Sequence, residues 1–283
     1  MRLIIVIALI VGSALLVAFL ASGDPAQRAG PRRVAASFYP LAYAAEHLGG
    51  ERGIVDDLTP PGAEPHDLEV SPSVVDKIHS ASLVVLLGHG FQPQLERAAD
   101  GSNAGVLSVL DMPGLRRFRN GDPHVWLDPV RYALVVRRLG RVLGADAGGL
   151  IARLRSLDRA YRTGLAHCER REIVTSHEAF AYLAARYRLR QIPISGLSPE
   201  AEPTPAEVAR SVETIRRTHA TTVYREPLVS PKIAETVASE AGAATAVLSP
   251  IEALTRPELG RGEDYFSIMR ANLAALRKGL GCR

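Results

Sequence analysis

The sequence predicts an α/β protein of two lobes, each a mainly parallel sheet flanked by helices, joined by one long helix. Short apolar runs alternate with helical periodicity in both halves of the chain. Between the halves, residues 128–167 show almost no strand character. With 283 residues, 47% of them hydrophobic, the chain is long enough to bury a full core.

The N-terminus predicts an exported protein. Arg2 precedes an uncharged apolar run, and Ala21–Gly23 offers the small residues of a cleavage site. The run is longer than the ~7–15 apolar residues of a signal peptide and close to the ~20 of a membrane span. Residues 1–23 are therefore either a signal peptide or a membrane anchor through residues 3–22, followed by a linker at 24–32.

The first lobe is predicted to span residues 33–145. Its apolar runs are β-branched or leucine-rich and are bounded by turn residues, which is typical of buried strands. Helical segments separate them, and Ser71 followed by Pro72 makes a favourable helix start. The predicted strands are 33–38, 53–58, 82–88 and 105–110.

A long linking helix is predicted for residues 146–168, and a second α/β lobe for residues 169–283. The helix is indicated by one apolar stripe at three- and four-residue steps, formed by Leu150, Leu154, Leu157, Tyr161 and Leu165. The second lobe repeats the rhythm of the first, with strands at 172–176, 189–195, 221–226 and 244–249 and helices near 178–187, 204–219, 230–241 and 264–279.

Two cysteines, Cys168 and Cys282, lie in the exported part of the chain. An even number of cysteines in an oxidising compartment predicts a disulfide. This bond would pin the C-terminus to the middle of the chain.

The net charge of +4 does not predict a nucleic-acid partner. The 34 basic residues include only three lysines and form no cluster with interleaved aromatic residues. Aromatic residues make up only 5% of the chain, too few for a single-strand stacking platform. The basic character indicates a compositional bias toward arginine.

Three histidines follow predicted strands, at the edge where open α/β sheets bind ligands. His66 follows the second strand, His124 follows the fourth after a short loop, and His177 follows the first strand of the second lobe. Two lobes facing each other would bring these side chains together. Three imidazoles and one further ligand make a tetrahedral zinc site.

Proline precedes two of these histidines, at Pro65 and Pro123. A fixed φ before a ligand reduces the conformational entropy that the site loses when it binds a metal. His89 also follows a strand and is a candidate for the surroundings of the site. The other histidines fall within or at the ends of predicted helices.

Several co-linear motifs from about residue 33 to the C-terminus resemble the metal-binding solute receptors of zinc and manganese ABC importers. They include "PPGAEPHDLEVSPS", "GDPHVWLDP", "IVTSHEAFAYLAARYRLRQIPISGLSPEAEPTP" and "DYFSIMRANLAALRKGL". The resemblance implies two α/β lobes bridged by one long helix, with the metal in the cleft. It also implies that His66, His124 and His177 are ligands. Histidine rather than glutamate at the third position favours Zn²⁺ over Mn²⁺.

The chain departs from this family in three places. Ser249 stands where an aspartate is usual, so Glu64, Ser249 itself or a water is expected to complete the site. The loop before the second ligand is short and arginine-rich instead of histidine-rich. Finally, no cysteine near residue 23 offers a lipid anchor.

The sequence therefore predicts an exported, monomeric receptor, not an enzyme, that captures Zn²⁺ for an ABC permease in the cytoplasmic membrane. Because ligation needs neutral imidazole, its affinity should fall below pH ~6.5. Two alternatives stay open. One is a secreted zinc hydrolase with Glu178 or Glu64 as general base. The other is a metal-binding surface adhesin on the same fold.

Overall fold

Two four-stranded sheets form the framework of the protein, whose computed structural model describes residues 32–49, 53–115 and 121–283. The strand orders are β2-β1-β3-β4 and β6-β5-β7-β8. The strands are β1 Arg32–Ala36, β2 Gly53–Asp57, β3 Leu83–Leu86, β4 Gly105–Ser108, β5 Glu172–Thr175, β6 Arg190–Pro193, β7 Thr222–Arg225 and β8 Ala244–Val247. The predicted two-sheet α/β fold and all eight predicted strands are confirmed. The predicted signal or anchor lies outside the described residues.

Helices cover the sheets, and none in the described part of the chain is long and apolar enough to cross a membrane. They are α1 Tyr39–Gly49, α2 Pro72–Ser80, α3 Pro93–Asp100, α4 Pro129–Leu143, α5 Gly148–Gly164, α6 Ala181–Tyr187, α7 Pro205–Thr218, α8 Lys232–Ala241, α9 Arg256–Gly260 and α10 Tyr265–Leu280. A short 3₁₀ turn, Val125–Leu127, precedes α4. Neither that turn nor α9 is predicted by periodicity, because both are too short to show one.

The linking helix α5 packs against α4 and α10 through the predicted apolar stripe. Leu154 and Tyr161 on this stripe are fully buried. The Tyr161 hydroxyl also donates to the Met269 carbonyl at 2.7 Å. The largest hydrophobic cluster runs through this helix from the first sheet to the second. A division into lobes at residues 145 and 169 remains a proposal.

Helix α6 of the second lobe makes polar contacts with the first lobe at both of its ends. At its start, the Ala181 amide donates to the Asp122 carboxylate at 2.9 Å. Near its end, the Arg186 guanidinium lies 3.3 Å from Asp128 and 2.7 Å from Asp158 on the linking helix. These charged contacts hold the two sheets with their carboxyl ends around a common cleft.

Cys168 and Cys282 form a disulfide, as predicted. Backbone bonds continue the link, since the Arg170 amide donates to the Leu280 carbonyl and the Arg283 amide to the His167 carbonyl. The C-terminus is thus fixed beside the end of the linking helix.

Candidate metal centre

Three histidines from separate segments converge between the lobes. His66 lies in the loop after β2, His124 just before the 3₁₀ turn, and His177 after β5. Their ring centroids are 5.6 Å apart for His66 and His124, 5.3 Å for His124 and His177, and 6.1 Å for His66 and His177. His124 and His177 are fully buried, whereas the His66 side chain is 12% exposed. The cleft therefore opens on the His66 side.

The fourth member of the cluster is Glu252, which sequence reasoning did not identify. Its Oε1 lies 2.8 Å from His124 Nε2, 3.0 Å from His66 Nε2 and 3.8 Å from His177 Nε2. Glu252 itself is only 1% exposed. One nitrogen from each of the three histidines and one carboxylate oxygen all lie within 4.8 Å of one another.

A strained turn after β8 directs Glu252 into the cleft. The buried residue Ile251 has φ +57°, a left-handed conformation that costs a β-branched residue about 1–3 kcal/mol. Hydrogen bonds fix the turn, since Ser249 Oγ accepts from the Ile251 amide and Trp126 Nε1 donates to the Pro250 carbonyl. The Asn272 side chain bonds both the amide and the carbonyl of Ser249. Ser249 thus supports the turn that presents the carboxylate.

Two further carboxylates orient the buried histidines. Asp122 Oδ1 lies 2.6 Å from His124 Nδ1, and the Glu226 carboxylate lies 2.7 Å from His177 Nδ1. A carboxylate on Nδ1 turns Nε2 toward the centre of the cluster and makes that nitrogen a stronger donor to a metal.

In the metal-free site, burial and charged neighbours shift the pKa values of three groups. Burial opposes a charged His124, but the carboxylates of Asp122 and Glu252 outweigh it and raise the pKa of His124 to about 10. Burial likewise opposes an ionised Glu252, but hydrogen bonds from His124 and His66 hold its pKa well below the usual range. Burial and the neighbouring Glu252 raise the pKa of Glu64 to about 9. In the absence of metal, a proton on His124 therefore balances the charge of Glu252.

The cluster has the chemistry of a cation site. His177 Nε2 and Glu252 Oε2 are buried without a hydrogen-bond partner, which costs free energy unless another group satisfies them. Ligands ~2.0–2.1 Å from a tetrahedral zinc ion lie about 3.3 Å apart, and the three nitrogens lie 2.8–3.8 Å from Glu252 Oε1. Three nitrogens and one carboxylate oxygen suit zinc better than manganese, which favours oxygen.

The three residues expected to complete the site do not enter the four-donor cluster. Ser249 Oγ is occupied by the Ile251 amide. His89 Nε2 lies 2.7 Å from Asp111 Oδ1, and its side chain is 49% exposed beside a separate first-lobe cavity. Glu64 Oε1 accepts the His66 amide, and its carboxyl lies beside Glu252 without supplying one of the four donors.

A signal for Glu252 is present in the sequence. The stretch after β8, "VLSPIEAL", ends a strand of the second lobe, and the rule that led to the histidines applies to it. Comparing only position 249 with the usual aspartate hides the carboxylate three residues later. The left-handed turn at Ile251, which precedes Glu252, has no sequence signature because isoleucine rarely adopts that conformation.

Comparisons with known proteins agree with this geometry. Residues 34–279 match the family described as "ZnuA: Zinc-uptake complex component A periplasmic". The "High-affinity zinc uptake system protein ZnuA" of Bacillus subtilis is 33% identical over 277 residues, 87% of this chain and 87% of that protein. The "Zinc-binding lipoprotein AdcA" of Streptococcus pneumoniae is 33% identical over 302 residues, covering 96% of this chain. This chain spans about 60% of the length of AdcA.

The fold is also similar to that of solved structures. The Zn(II)-bound ZnuA-like domain of Streptococcus pneumoniae AdcA superimposes with a TM-score of 0.76 at 34% identity. The superposition covers 89% of this chain and 99% of that domain. The family match, the identity along the chain and the two-lobe architecture lead to one assignment. The chain belongs to the ZnuA family of zinc-uptake complex components.

Proposed function

We propose that this protein is the extracytoplasmic receptor of an ABC importer, capturing Zn²⁺ in the cleft and delivering it to a permease in the cytoplasmic membrane. His66, His124, His177 and Glu252 are the proposed ligands. The observation that carries this proposal is the buried cluster of three imidazoles and one carboxylate, with its donor atoms within 4.8 Å of one another. We further propose that the protein acts outside the cytoplasm, in the periplasm or at the cell surface, as a monomer.

The donor set favours capture over catalysis. A catalytic zinc has three protein ligands and keeps a fourth position open for water, whereas a closed set of four protein ligands only holds the ion. Glu252 supplies the fourth donor here. Glu64, the possible general base of a hydrolase, accepts the His66 amide and so supports a ligand loop.

Metal analysis of the purified protein tests this function. We expect about one zinc per chain and a preference for zinc over manganese, as the nitrogen-rich donor set predicts. Mass spectrometry of the exported form gives the mature N-terminus in the same preparation. Stoichiometric manganese in place of zinc, or rapid zinc-dependent turnover of ester or peptide substrates, would contradict the proposal.

Zinc affinity is expected to rise with pH up to about 10, the pKa of His124 in the metal-free site. Zinc and a proton compete for Nε2, so binding at pH 7 should release about one proton. This pH range lies above the pKa of ~6.5 expected for a free imidazole. Calorimetry in two buffers of different ionisation enthalpy counts the released protons, and a buffer-independent enthalpy would argue against a charged His124.

The stability of the metal-free protein should depend on pH in the opposite sense. A pKa raised in the folded state contributes stability that is complete below the unfolded pKa of ~6.5. This contribution is lost as the pH rises through about 10. Urea unfolding of the metal-free protein at pH 6.5 and 10 measures the difference in the free energy of unfolding. Added zinc should reverse the sign of this difference.

The orienting carboxylates should affect zinc binding without touching the ion. Asp122→Asn and Glu226→Gln are each expected to weaken zinc affinity ~10–100-fold, as losses of such hydrogen-bonded carboxylates do. Competition against a calibrated chelator measures this. Asp111→Asn is the matched control, because Asp111 bonds His89, a histidine outside the cluster. Wild-type affinity in both test variants would show that the two carboxylates are dispensable.

A further inference from the structure

A cavity of about 320 Å³ lies where the end of α5 meets the end of α6. Four arginines line it, Arg162, Arg171, Arg186 and Arg188, together with apolar groups such as Leu165 and Tyr187. No carboxylate-bearing residue is among its lining residues in the described part of the chain. Two of these arginines pair with Asp158 or Asp128, and the charge of the other two leaves a positive potential that favours an anion.

The same side of the linking helix extends this charge. Arg155, Arg159 and Arg162 recur at steps of four and three, so they form one stripe on α5, and all three are exposed. Among the described residues, neither Arg155 nor Arg159 lies within ion-pair distance of a carboxylate. Arg162, paired with Asp158 at 3.4 Å, still exposes 62% of its side chain. The stripe leads directly into the cavity.

Two of the four arginines in the cavity have contacts that stabilise the fold. Arg171 donates to the Leu165 and Ala166 carbonyls at the end of α5, each at 2.8 Å. Arg186 is held by Asp128 and Asp158. Such support does not explain Arg188, which is exposed and pairs with no carboxylate among the described residues. Arg188 also occupies a left-handed conformation with φ +58° that glycine would adopt without strain.

We propose that this cavity and the adjoining arginine stripe bind a phosphate-bearing anion. The guanidinium group presents paired N–H donors that match two phosphate oxygens, and it stays charged at every physiological pH. Arg171, anchored by two backbone carbonyls, offers a fixed positive group in the cavity, and the exposed Arg188 lies beside it. Arg159 on the adjoining stripe adds a further exposed guanidinium. The phosphate can belong to an anionic phospholipid headgroup or to a soluble phosphate, since both offer the same oxygens.

The test uses the full chain carrying Arg159→Gln together with Arg188→Gly. Glycine suits the backbone at position 188, so the double variant should fold normally and bind zinc with unchanged affinity. The matched control carries Arg217→Gln together with Arg256→Gln, two exposed arginines on other helices. It has the same change in net charge. The probes are vesicles of phosphatidylcholine with or without 30% phosphatidylglycerol, and inorganic phosphate titrated into the zinc-free protein.

The vesicle readout is the ratio of binding to anionic and neutral vesicles, which cancels any contribution of the apolar N-terminal run. For a lipid ligand, we expect the test variant to lower this ratio about tenfold or more, since each arginine near an anionic surface contributes about a fivefold factor. The control should keep the wild-type ratio. For a soluble ligand, we expect saturable phosphate binding to wild type and control that the test variant loses. If neither probe separates the test variant from the control, the proposal is overturned.

Discussion

Replacing His66, His124 or His177 with alanine is expected to abolish stoichiometric zinc binding. Each residue is a proposed ligand that offers one of the four donor atoms, so each loss should leave three protein ligands. Losing a group that only orients a ligand costs ~10–100-fold in affinity. Losing a ligand itself should therefore cost at least ~100-fold. Chelator competition measures the affinities, and the zinc content of the purified variants measures the stoichiometry.

The three variants should differ in the stability of the metal-free protein. His124 lies between two buried carboxylates, at 2.6 Å and 2.8 Å, so His124→Ala leaves them facing each other without a cation. His66 lies on a loop with a partly exposed side chain, so His66→Ala should preserve the fold. It is therefore the cleanest test of ligation.

Thermal unfolding provides a second readout for the same variants. Zinc that binds only the folded state adds ~2.7 kcal/mol at a free concentration one hundred times Kd. We expect this stabilisation in the wild type and in His89→Ala, whose imidazole bonds Asp111 outside the cluster. It should be absent from the three ligand variants. One tight zinc retained by all three would disprove the assignment of these ligands.

The strands were predictable because each satisfies several local rules at once. Val84 and Val85 lie in a short apolar run between turn residues, and both are fully buried in β3. The histidines were placed by topology, since the carboxyl ends of parallel strands share one edge. The disulfide followed from having two cysteines in a chain predicted to be exported.

Features that depend on contacts between distant segments were not predictable. Arg162 is far in sequence from Arg186 and Arg188, and only the packing of α6 beside the linking helix brings them around one cavity. The even distribution of arginine along the sequence therefore hid a concentration of charge in space. The fourth donor was missed for a related reason. The sequence analysis placed the fourth ligand at or near Ser249 or Glu64, whereas hydrogen bonds with Asn272 and Trp126 fix the turn so that Glu252 enters the cleft.

Glu252→Gln is expected to weaken zinc affinity by on the order of 100-fold or more, at nearly unchanged side-chain volume. An amide oxygen carries no net charge, so the ion loses the only anionic donor in its four-membered set. The same change removes the carboxylate that helps to raise the pKa of His124 to about 10. The pH at which zinc binding reaches half its maximum should therefore fall, even as the limiting affinity weakens.

The shift in the midpoint follows from removing the carboxylate beside His124, whereas a loss of affinity that persists above the pKa of His124 reports the lost donor to zinc. A residue that only supports the fold would instead lower the stability of the metal-free protein. Ser249→Asp provides the complementary variant. If position 249 were the ligand site, aspartate there would restore affinity in the Glu252→Gln background. We expect no restoration, because Ser249 Oγ is directed to the Ile251 amide and not to the histidines.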